Sequence, residues 1–304
     1  MQLGFVSAIL PDLSLDEVLA FAAAEGFPCV EVMCWPVGKA ERRYAGVTHL
    51  DVTHFSDEDA AQTKALVARH GVAISALGYY PNPLCADEAE AAVYLEHLKK
   101  IISAAQKLGL STVNTFIGRD PARTVEQNWQ LFDQRWPSVL QHAAQCGIRI
   151  GIENCPMFFT NDEWPGGKNL ATSPKIWREM FRRLPTQNLG LNYDPSHAVW
   201  QFMDAAKHVR DFADRIFHVH AKDAKIAQEK LDDCGIMATP LEFHDPRLPG
   251  RGDVKWPEFF AALKAISYNG PVCIEVEDKD YEGSLEDRKR ALRESASFLR
   301  QFIP

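Results

Sequence analysis

The sequence lacks any apolar run that approaches the ~20 residues needed to cross a bilayer. Its first residues also lack a basic segment followed by a long apolar one, so we expect no membrane span and no secretory signal peptide. There is no C-x-x-C pair, and the seven cysteines are scattered at irregular spacing. An odd number of scattered cysteines is typical of reduced thiols, which predicts a cytoplasmic protein.

Positive charge is scarce as well. The chain has 33 Lys and Arg against 41 Asp and Glu, a formal net charge of −8. Nucleic-acid-binding proteins usually carry a basic face, so this class is disfavoured. No G-x-G-x-x-G follows the first predicted strand, which weakens a dinucleotide-binding interpretation. The composition, 46% hydrophobic, instead suits one large core, and we predict a single domain over residues 1–304.

Short apolar segments alternate with amphipathic ones along the whole chain. Several of the amphipathic segments end at a glycine, and Ser14 with Glu17 forms a capping-box pattern at the start of the first. Eight such repeats with parallel-type strands predict a (β/α)8 TIM barrel, with a doubly wound open sheet as the alternative. The predicted strands cover residues 3–8, 29–33, 72–79, 111–116, 148–153, 189–193, 216–221 and 272–276.

Three connections are too long for simple turns, namely residues 34–56, 154–172 and 222–254. All three follow strands, which places these long βα loops at the C-terminal face of the barrel, where such enzymes build their sites. They are rich in aromatic side chains, so we expect a lid or a subunit contact there, and a homo-oligomer. The aromatic residues are Trp35, Phe158, Phe159, Trp164 and Phe243.

Polar side chains stand where the last four predicted strands finish. A strand alternates its faces, so His218 and His220 point to one side, about 7 Å apart. Four neighbouring strands bring carboxylates and one imidazole to the same rim, which predicts one bound divalent cation. An oxygen-rich set with one imidazole favours Mn²⁺, with Mg²⁺ or Co²⁺ as alternatives, over zinc. The predicted ligands are Glu153, Asp194, His220 and Glu275, and His218 lies one layer deeper as a supporting or core histidine.

These segments resemble the xylose-isomerase-like TIM barrels of sugar isomerases and epimerases. The resemblance covers the whole chain and is strongest in "GIEN", "YDPSH", "HVHAKD", "PGRGDVKW" and "CIEVED". In the ketose 3-epimerases of that group four such residues bind one divalent metal, which implies the four ligands above. The resemblance also implies that His197 contacts substrate, as does an arginine near the "GRG" turn, Arg251 or Arg247. This chain departs from those epimerases at Phe159, where they have a carboxylate, so its substrate contacts differ.

The implied chemistry is proton transfer next to a sugar carbonyl through a metal-bound enediolate, with Glu153 and Glu275 on opposite faces of the reacting carbon. Returning a proton to the same carbon gives an epimerase, and to the adjacent carbon an isomerase. Expulsion of a leaving group gives a lyase acting on keto-sugars or keto-glycosides, or an inosose-type dehydratase. Lys222 and Trp35 are further candidates for carbohydrate binding.

Two other classes share this fold. Apurinic endonucleases need three zinc ions, additional histidines and basic DNA contacts that the sequence does not supply. A non-catalytic sugar binder does not need two opposed carboxylates, which argues against that class.

Overall fold

The computed structural model describes residues 1–38, 46–158 and 166–303, and its centre is a closed barrel of eight parallel strands. Each strand lies next to its neighbour in the chain, and the last pairs with the first to close the barrel. The (β/α)8 prediction is confirmed, and the predicted strand limits differ from the observed ones by at most two residues. The barrel strands are β1 (Gln2–Val6), β2 (Cys29–Met33), β3 (Ala73–Gly78), β4 (Thr112–Thr115), β5 (Arg149–Glu153), β6 (Leu189–Tyr193), β7 (Ile216–Ala221) and β10 (Pro271–Ile274).

Helices surround the barrel, and local sequence explains where they begin and end. The capping box predicted at Ser14 and Glu17 is present, and Gly71 and Gly109 end their helices at φ 67° and 77°. None of the described helices is both long and apolar enough to cross a membrane. The helices are α1 (Leu15–Ala24), α2 (Asp57–His70), α3 (Glu88–Leu108), α4 (Val125–Gln145), α5 (Pro174–Arg183), α6 (Ser196–Val199), α7 (Ala205–Asp211), α8 (Gln228–Cys234), α9 (Pro240–Phe243), α10 (Trp256–Ala265) and α11 (Leu285–Leu299).

The connection after β7 is more ordered than its sequence suggests. It contains the antiparallel strands β8 (Asp223–Ile226) and β9 (His244–Arg247), together with α8 and α9. The Asp223 carboxylate accepts hydrogen bonds from the backbone N–H of Gly250 (3.0 Å) and Val254 (2.9 Å) and from Nε1 of Trp256 (2.8 Å). The buried Asp223 carboxylate therefore holds the end of this connection in place through hydrogen bonds, including the turn that leads into α10. Of the aromatic residues predicted to form a lid, Phe159 and Trp164 lie outside the described residues.

Alternation along the strands sorts the barrel interior into layers. Asn114, Gly151 and Asn192 share one layer, because a Cβ added at Gly151 would lie 2.4 Å from Oδ1 of Asn114 and 3.4 Å from Cβ of Asn192. His218 joins them through its Nδ1, 2.9 Å from Oδ1 of Asn192. Residues two positions later on these strands must form the next layer towards the C-terminal face. That layer holds the predicted ligands.

Candidate metal centre and cavities

The four predicted ligands converge at the C-terminal face of the barrel. Glu153 ends β5, Asp194 directly follows β6, His220 lies in β7, and Glu275 directly follows β10. Nδ1 of His220 lies 3.6 Å from Oε1 of Glu153 and 3.5 Å from Oε2 of Glu275. Asp194 borders this group, with its Oδ2 3.3 Å from Nε2 of His197 and 3.2 Å from Nζ of Lys222. We call these four residues the strand-end cluster.

The strand-end cluster has the chemistry of a cation site. Two of its buried atoms, Oε1 of Glu153 and Nδ1 of His220, have no hydrogen-bond partner among the described residues. Oδ2 of Asp194 has only the longer ion-pair contacts with His197 and Lys222. The other Asp194 oxygen accepts from the backbone N–H of Ser196 at 2.8 Å, so only one lone-pair atom of that carboxylate is left over. Each unsatisfied buried acceptor costs about 1–3 kcal/mol. Carboxylate oxygens and one imidazole nitrogen suit a hard divalent ion, so the residues present fit a metal.

Glu31 lies behind His220 and was missed from the sequence. Its Oε2 is 2.7 Å from Nε2 of His220, and its Oε1 accepts from the Tyr80 hydroxyl. Burial raises the pKa of Glu31, but His220 outweighs burial and brings that pKa below its usual value. An ionised carboxylate only accepts, so Nε2 of His220 carries a hydrogen, and Nδ1 is the ring nitrogen that faces the cluster. The available signal was a carboxylate in the middle of the apolar strand "CVEVM".

Both ring nitrogens of His218 contact uncharged side chains one layer below the strand-end cluster. Its Nδ1 lies 2.9 Å from Oδ1 of Asn192, and its Nε2 lies 3.2 Å from Oγ of Ser75. Glu31, His218 and His220 form a second group with spacing suitable for a metal. Their atoms are already used in hydrogen bonds with one another or with neutral neighbours, so the strand-end cluster is the better candidate.

His197 faces the cluster from the turn after β6. Its Nε2 is 3.3 Å from Oδ2 of Asp194 and 3.8 Å from Oε1 of Glu153, and neither ring nitrogen has a hydrogen-bond partner. Burial disfavours its charged form, but the Asp194 carboxylate outweighs burial and raises the pKa of His197 well above its usual value. Burial raises the pKa of the Cys155 thiol, which makes it a poor metal ligand in the third such group, with Glu153 and His197.

Lys222 places a buried cation at the edge of the cluster. Its Nζ lies 2.7 Å from Oε2 of Glu275 and 3.0 Å from Oε2 of Glu277. Burial lowers the pKa of Lys222, but these two carboxylates outweigh burial and raise it well above its usual value. Lys222 in turn, with His220, holds the pKa of Glu275 well below its usual value against the effect of burial. Glu275 is therefore an ionised carboxylate beside a protonated amine.

A cavity of about 170 Å³, here called the main cavity, opens beside the cluster. Glu153, His197, Lys222 and Glu275 lie at its polar end. Its remaining walls are largely apolar and include Val6, Met33, Trp35, Phe116, Met157 and Trp200. The main cavity is thus lined by five of the predicted catalytic and substrate-binding residues, Glu153, Glu275, His197, Lys222 and Trp35.

The predicted arginine contact is not found at the main cavity. Nη2 of Arg251 donates to Oε2 of Glu294 at 2.6 Å, and its guanidinium lies over the Tyr281 ring with the side chain 52% exposed. Arg247 bonds instead to Asp278 (3.2 Å) and Asp280 (2.8 Å). Both arginines pair with carboxylates away from the strand-end cluster and neither lines the main cavity, so their assignment as substrate contacts stays a prediction.

Comparison with known proteins gives matches along the whole chain. Residues 19–302 match the family model described as the xylose isomerase-like TIM barrel. The uncharacterized protein YfiH of Bacillus subtilis (strain 168) is 25% identical over 331 residues, covering 98% of this chain and 100% of that protein. The inosose dehydratase of Geobacillus kaustophilus (strain HTA426) is 29% identical over 170 residues, 52% of this chain and 51% of that protein.

Solved structures share the same barrel. A D-psicose 3-epimerase crystallised in the presence of D-fructose superposes with a TM-score of 0.70 at 15% identity, covering 100% of this chain and 99% of that one. The IOLI protein with a bound zinc atom also superposes with a TM-score of 0.70, at 16% identity and the same coverage. At these identities the likeness establishes the fold.

Proposed function

Because the chain belongs to the xylose isomerase-like TIM barrel family, we propose that it is a divalent-metal-dependent sugar isomerase or epimerase. One observation carries the proposal. Two carboxylates, Glu153 and Glu275, lie 3.6 and 3.5 Å from the same imidazole nitrogen of His220, at the polar end of the main cavity. In the barrel, β6 and β7 separate β5 from β10, so the two carboxylates reach the cavity from different sides.

We infer that the strand-end cluster would hold the ion, with Mn²⁺ the expected metal. When bound, a divalent ion supplies Lewis acidity to a substrate carbonyl. Glu153 and Glu275 supply the proton transfer. One carboxylate removes the proton from the carbon next to the carbonyl, leaving an enediolate, and the other returns a proton from the opposite face. Return to the same carbon inverts it, and return to the adjacent carbon exchanges aldose and ketose.

Lys222 and His197 suit substrate positioning. The Lys222 ammonium has three donors and lines the main cavity, so it can donate to a substrate oxygen while it keeps its bond to Glu275. His197 lines the same space with two unpartnered ring nitrogens. Trp35 offers an apolar face to the sugar ring.

A second candidate function is elimination from a keto-sugar, keto-glycoside or inosose. It uses the same proton abstraction, after which the neighbouring C–O bond breaks and the departing oxygen takes a proton. The observation in its favour is the protonated Lys222 amine, 2.7 Å from Glu275, because it places an acid beside a base. The similarity to an inosose dehydratase and, over 45% of this chain, to a 3-dehydroshikimate dehydratase of Pseudomonas putida also supports it.

Deuterium exchange followed by NMR separates the two. The protein is incubated in D₂O with Mn²⁺ and a panel of free ketoses, 3-keto-glycosides and inososes. An epimerase or isomerase incorporates deuterium next to the carbonyl and yields the isomeric sugar, whereas a lyase releases water or an alcohol and yields an unsaturated ketone. A chelator-treated sample and a Glu153→Gln, Glu275→Gln double variant serve as controls. Absence of exchange across the whole panel would contradict proton transfer as the function.

A further inference from the structure

A second cavity of about 320 Å³, here called the side cavity, lies next to the main cavity. The two share Pro156, Phe158 and Trp200 as walls, and the rings of Phe158 and Trp200 are 6.1 Å apart, edge to face. The other described walls combine apolar side chains, including Phe202, Ile236 and Phe243, with the polar side chains of Thr172 and Gln201. Among the described residues that line it, Arg119 alone is charged.

Arg119 has no acidic partner in the described part of the chain. Its Nη1 donates to the backbone carbonyl of Gly166 at 2.8 Å, while its buried Nε has no hydrogen-bond partner. Burial lowers the pKa of this guanidinium. Arg123, four residues later in the same connection, bonds to the Asp120 carboxylate at 3.0 Å. Within residues 1–38, 46–158 and 166–303, this arginine therefore lies at a cavity wall without a carboxylate partner, in a protein whose net charge is −8, and such an arrangement lowers stability.

The backbone beside both cavities is strained. Phe202 has φ 56° and Met157 has φ 60°, a left-handed conformation that costs a non-glycine residue roughly 1 kcal/mol or more. Met157 lines the main cavity, and Phe202 lines the side cavity with 54% of its surface exposed. The strain holds an apolar ring at the cavity rim instead of in the core, which fits a surface that contacts a ligand.

We propose that the side cavity is a subsite for an apolar group that carries an anionic oxygen, a carboxylate or a phosphate, bound by Arg119. A planar guanidinium pairs with such groups through two parallel hydrogen bonds, and the apolar walls accept the carbon skeleton that bears them. The shared walls at Phe158 and Trp200 make this group continuous with whatever occupies the main cavity.

This inference rests on the proposed function and narrows its substrate class. A free ketose fits within the main cavity and carries a hydroxyl on nearly every carbon, so it would leave both the apolar walls and Arg119 unused. A keto-glycoside whose aglycone is apolar and anionic fills both cavities. The substrate is therefore a keto-sugar joined to an acidic, predominantly apolar group.

Ligand binding to the full chain tests the subsite without turnover. Fluorine NMR titrations of chelator-treated protein use 4-fluorobenzoate, 4-fluorophenyl phosphate and neutral 4-fluorobenzyl alcohol. We expect at least one of the two anions to bind at least about tenfold more tightly than the alcohol. The anion that binds more tightly identifies the group as a carboxylate or a phosphate. Arg119→Met should weaken the binding of that anion by a similar factor, and Arg119→Lys should weaken it by less. The matched control Arg123→Met should leave its binding unchanged. Equal binding of anion and alcohol overturns the proposal.

Thermal unfolding of the same variants excludes a purely structural role. If Arg119 is a binding residue, removing this half-buried charge, which has no acidic partner among the described residues, leaves the Tm of Arg119→Met unchanged or higher. A fall in Tm with unchanged anion binding in that variant would mean that Arg119 serves only to hold the Gly166 carbonyl, and would overturn the subsite.

The two proposals fail in different ways. Anion binding that depends on Arg119, without deuterium exchange in any sugar, contradicts the proposed function and supports the subsite. Exchange in free ketoses, without anion binding that depends on Arg119, supports the proposed function and overturns the subsite.

Discussion

Oε2 of Glu31 lies 2.7 Å from Nε2 of His220, although 189 positions separate these residues in the chain. Glu31 also accepts from Tyr80, whose hydroxyl receives a hydrogen bond from Nδ2 of Asn192 at 3.1 Å. The imidazole is therefore held in one orientation, with Nε2 towards Glu31, before any ion arrives. A carboxylate behind a histidine ligand also increases the basicity of the nitrogen that faces the metal.

We expect Glu31→Gln to weaken Mn²⁺ binding by about 10–100-fold, because the amide neither holds the tautomer nor increases the basicity of His220. Isothermal titration calorimetry measures this independently of activity. Glu58→Gln, an exposed position on α2, is the control for charge removal. An unchanged Mn²⁺ Kd in Glu31→Gln would mean that the pair has no role in metal binding.

Substitutions of Asp194 and His197 should distinguish the effect on metal binding from the effect on substrate binding. Asp194→Asn removes a proposed ligand charge and should weaken Mn²⁺ binding by at least about tenfold. His197→Ala should leave the Mn²⁺ Kd within about twofold and instead raise KM or lower kcat, since its ring borders the cavity and is not one of the four proposed ligands. Equal loss of metal in both variants would contradict the role assigned to His197.

Glu153→Gln and Glu275→Gln should each retain a coordinating oxygen and lose the base. We expect a modest fall in metal affinity and a fall in turnover of about 10²-fold or more in an epimerase. For a given starting epimer, one of the two carboxylates is the base that removes the proton. The variant that lacks this base should not incorporate deuterium into the starting epimer. The variant that lacks the opposing carboxylate should incorporate deuterium without inverting the carbon. A lyase needs one base, so near-normal activity in one variant identifies elimination. Full activity in both would rule out proton transfer by these residues.

Gly252 tests the anchoring of the long connection after β7. A Cβ there would lie 2.2 Å from Oδ1 of Asp223 and 2.5 Å from the Ala224 carbonyl oxygen, and neither atom can move without breaking the bonds that hold the loop. Gly252→Ala should lower the free energy of unfolding by about 1–3 kcal/mol in urea denaturation. Gly38→Ala, where no atom of the described residues lies within 4 Å, should change it by less than about 0.5 kcal/mol. Similar values for both would refute the clash.

His208 should make the fold sensitive to acid. Burial lowers its pKa to about 4, against the pull of Asp204 and Asp211, and its Nδ1 lies 2.9 Å from the Tyr193 hydroxyl. Between pH 6.5 and about 4 the unfolded chain binds a proton that the folded chain does not, so this contribution to stability is complete above pH 6.5 and is lost as pH falls.

Urea denaturation at pH 7 and pH 5 measures this effect. The loss of unfolding free energy between the two should be about 1–2 kcal/mol smaller in His208→Gln than in the unmodified protein. Replacing the exposed His54 by Gln is the control and should leave the loss unchanged. An equal pH dependence in His208→Gln would contradict the assignment.

Sequence alone predicted the barrel and the convergence at its rim. Strand alternation and the parallel arrangement are local and repetitive properties, so the ends of β5, β6, β7 and β10 must meet at one face. Glu153, Asp194, His220 and Glu275 follow from that geometry without knowledge of any side-chain contact. The carboxylates and the imidazole gathered there predicted a divalent cation, and the family resemblance implied the same four ligands and supplied the sugar chemistry.

The tertiary structure decided which distant side chains meet. The Glu31–His220 pair joins β2 to β7 across the barrel, and the pairing of Arg251 with Glu294 removes that arginine from the cavity. The side cavity around Arg119 arises from loops that follow β4, β5, β6 and β7. Periodicity determines the face on which a residue lies, but rotamers and loop packing determine its partner. Those depend on contacts between residues tens to hundreds of positions apart, which no local pattern encodes.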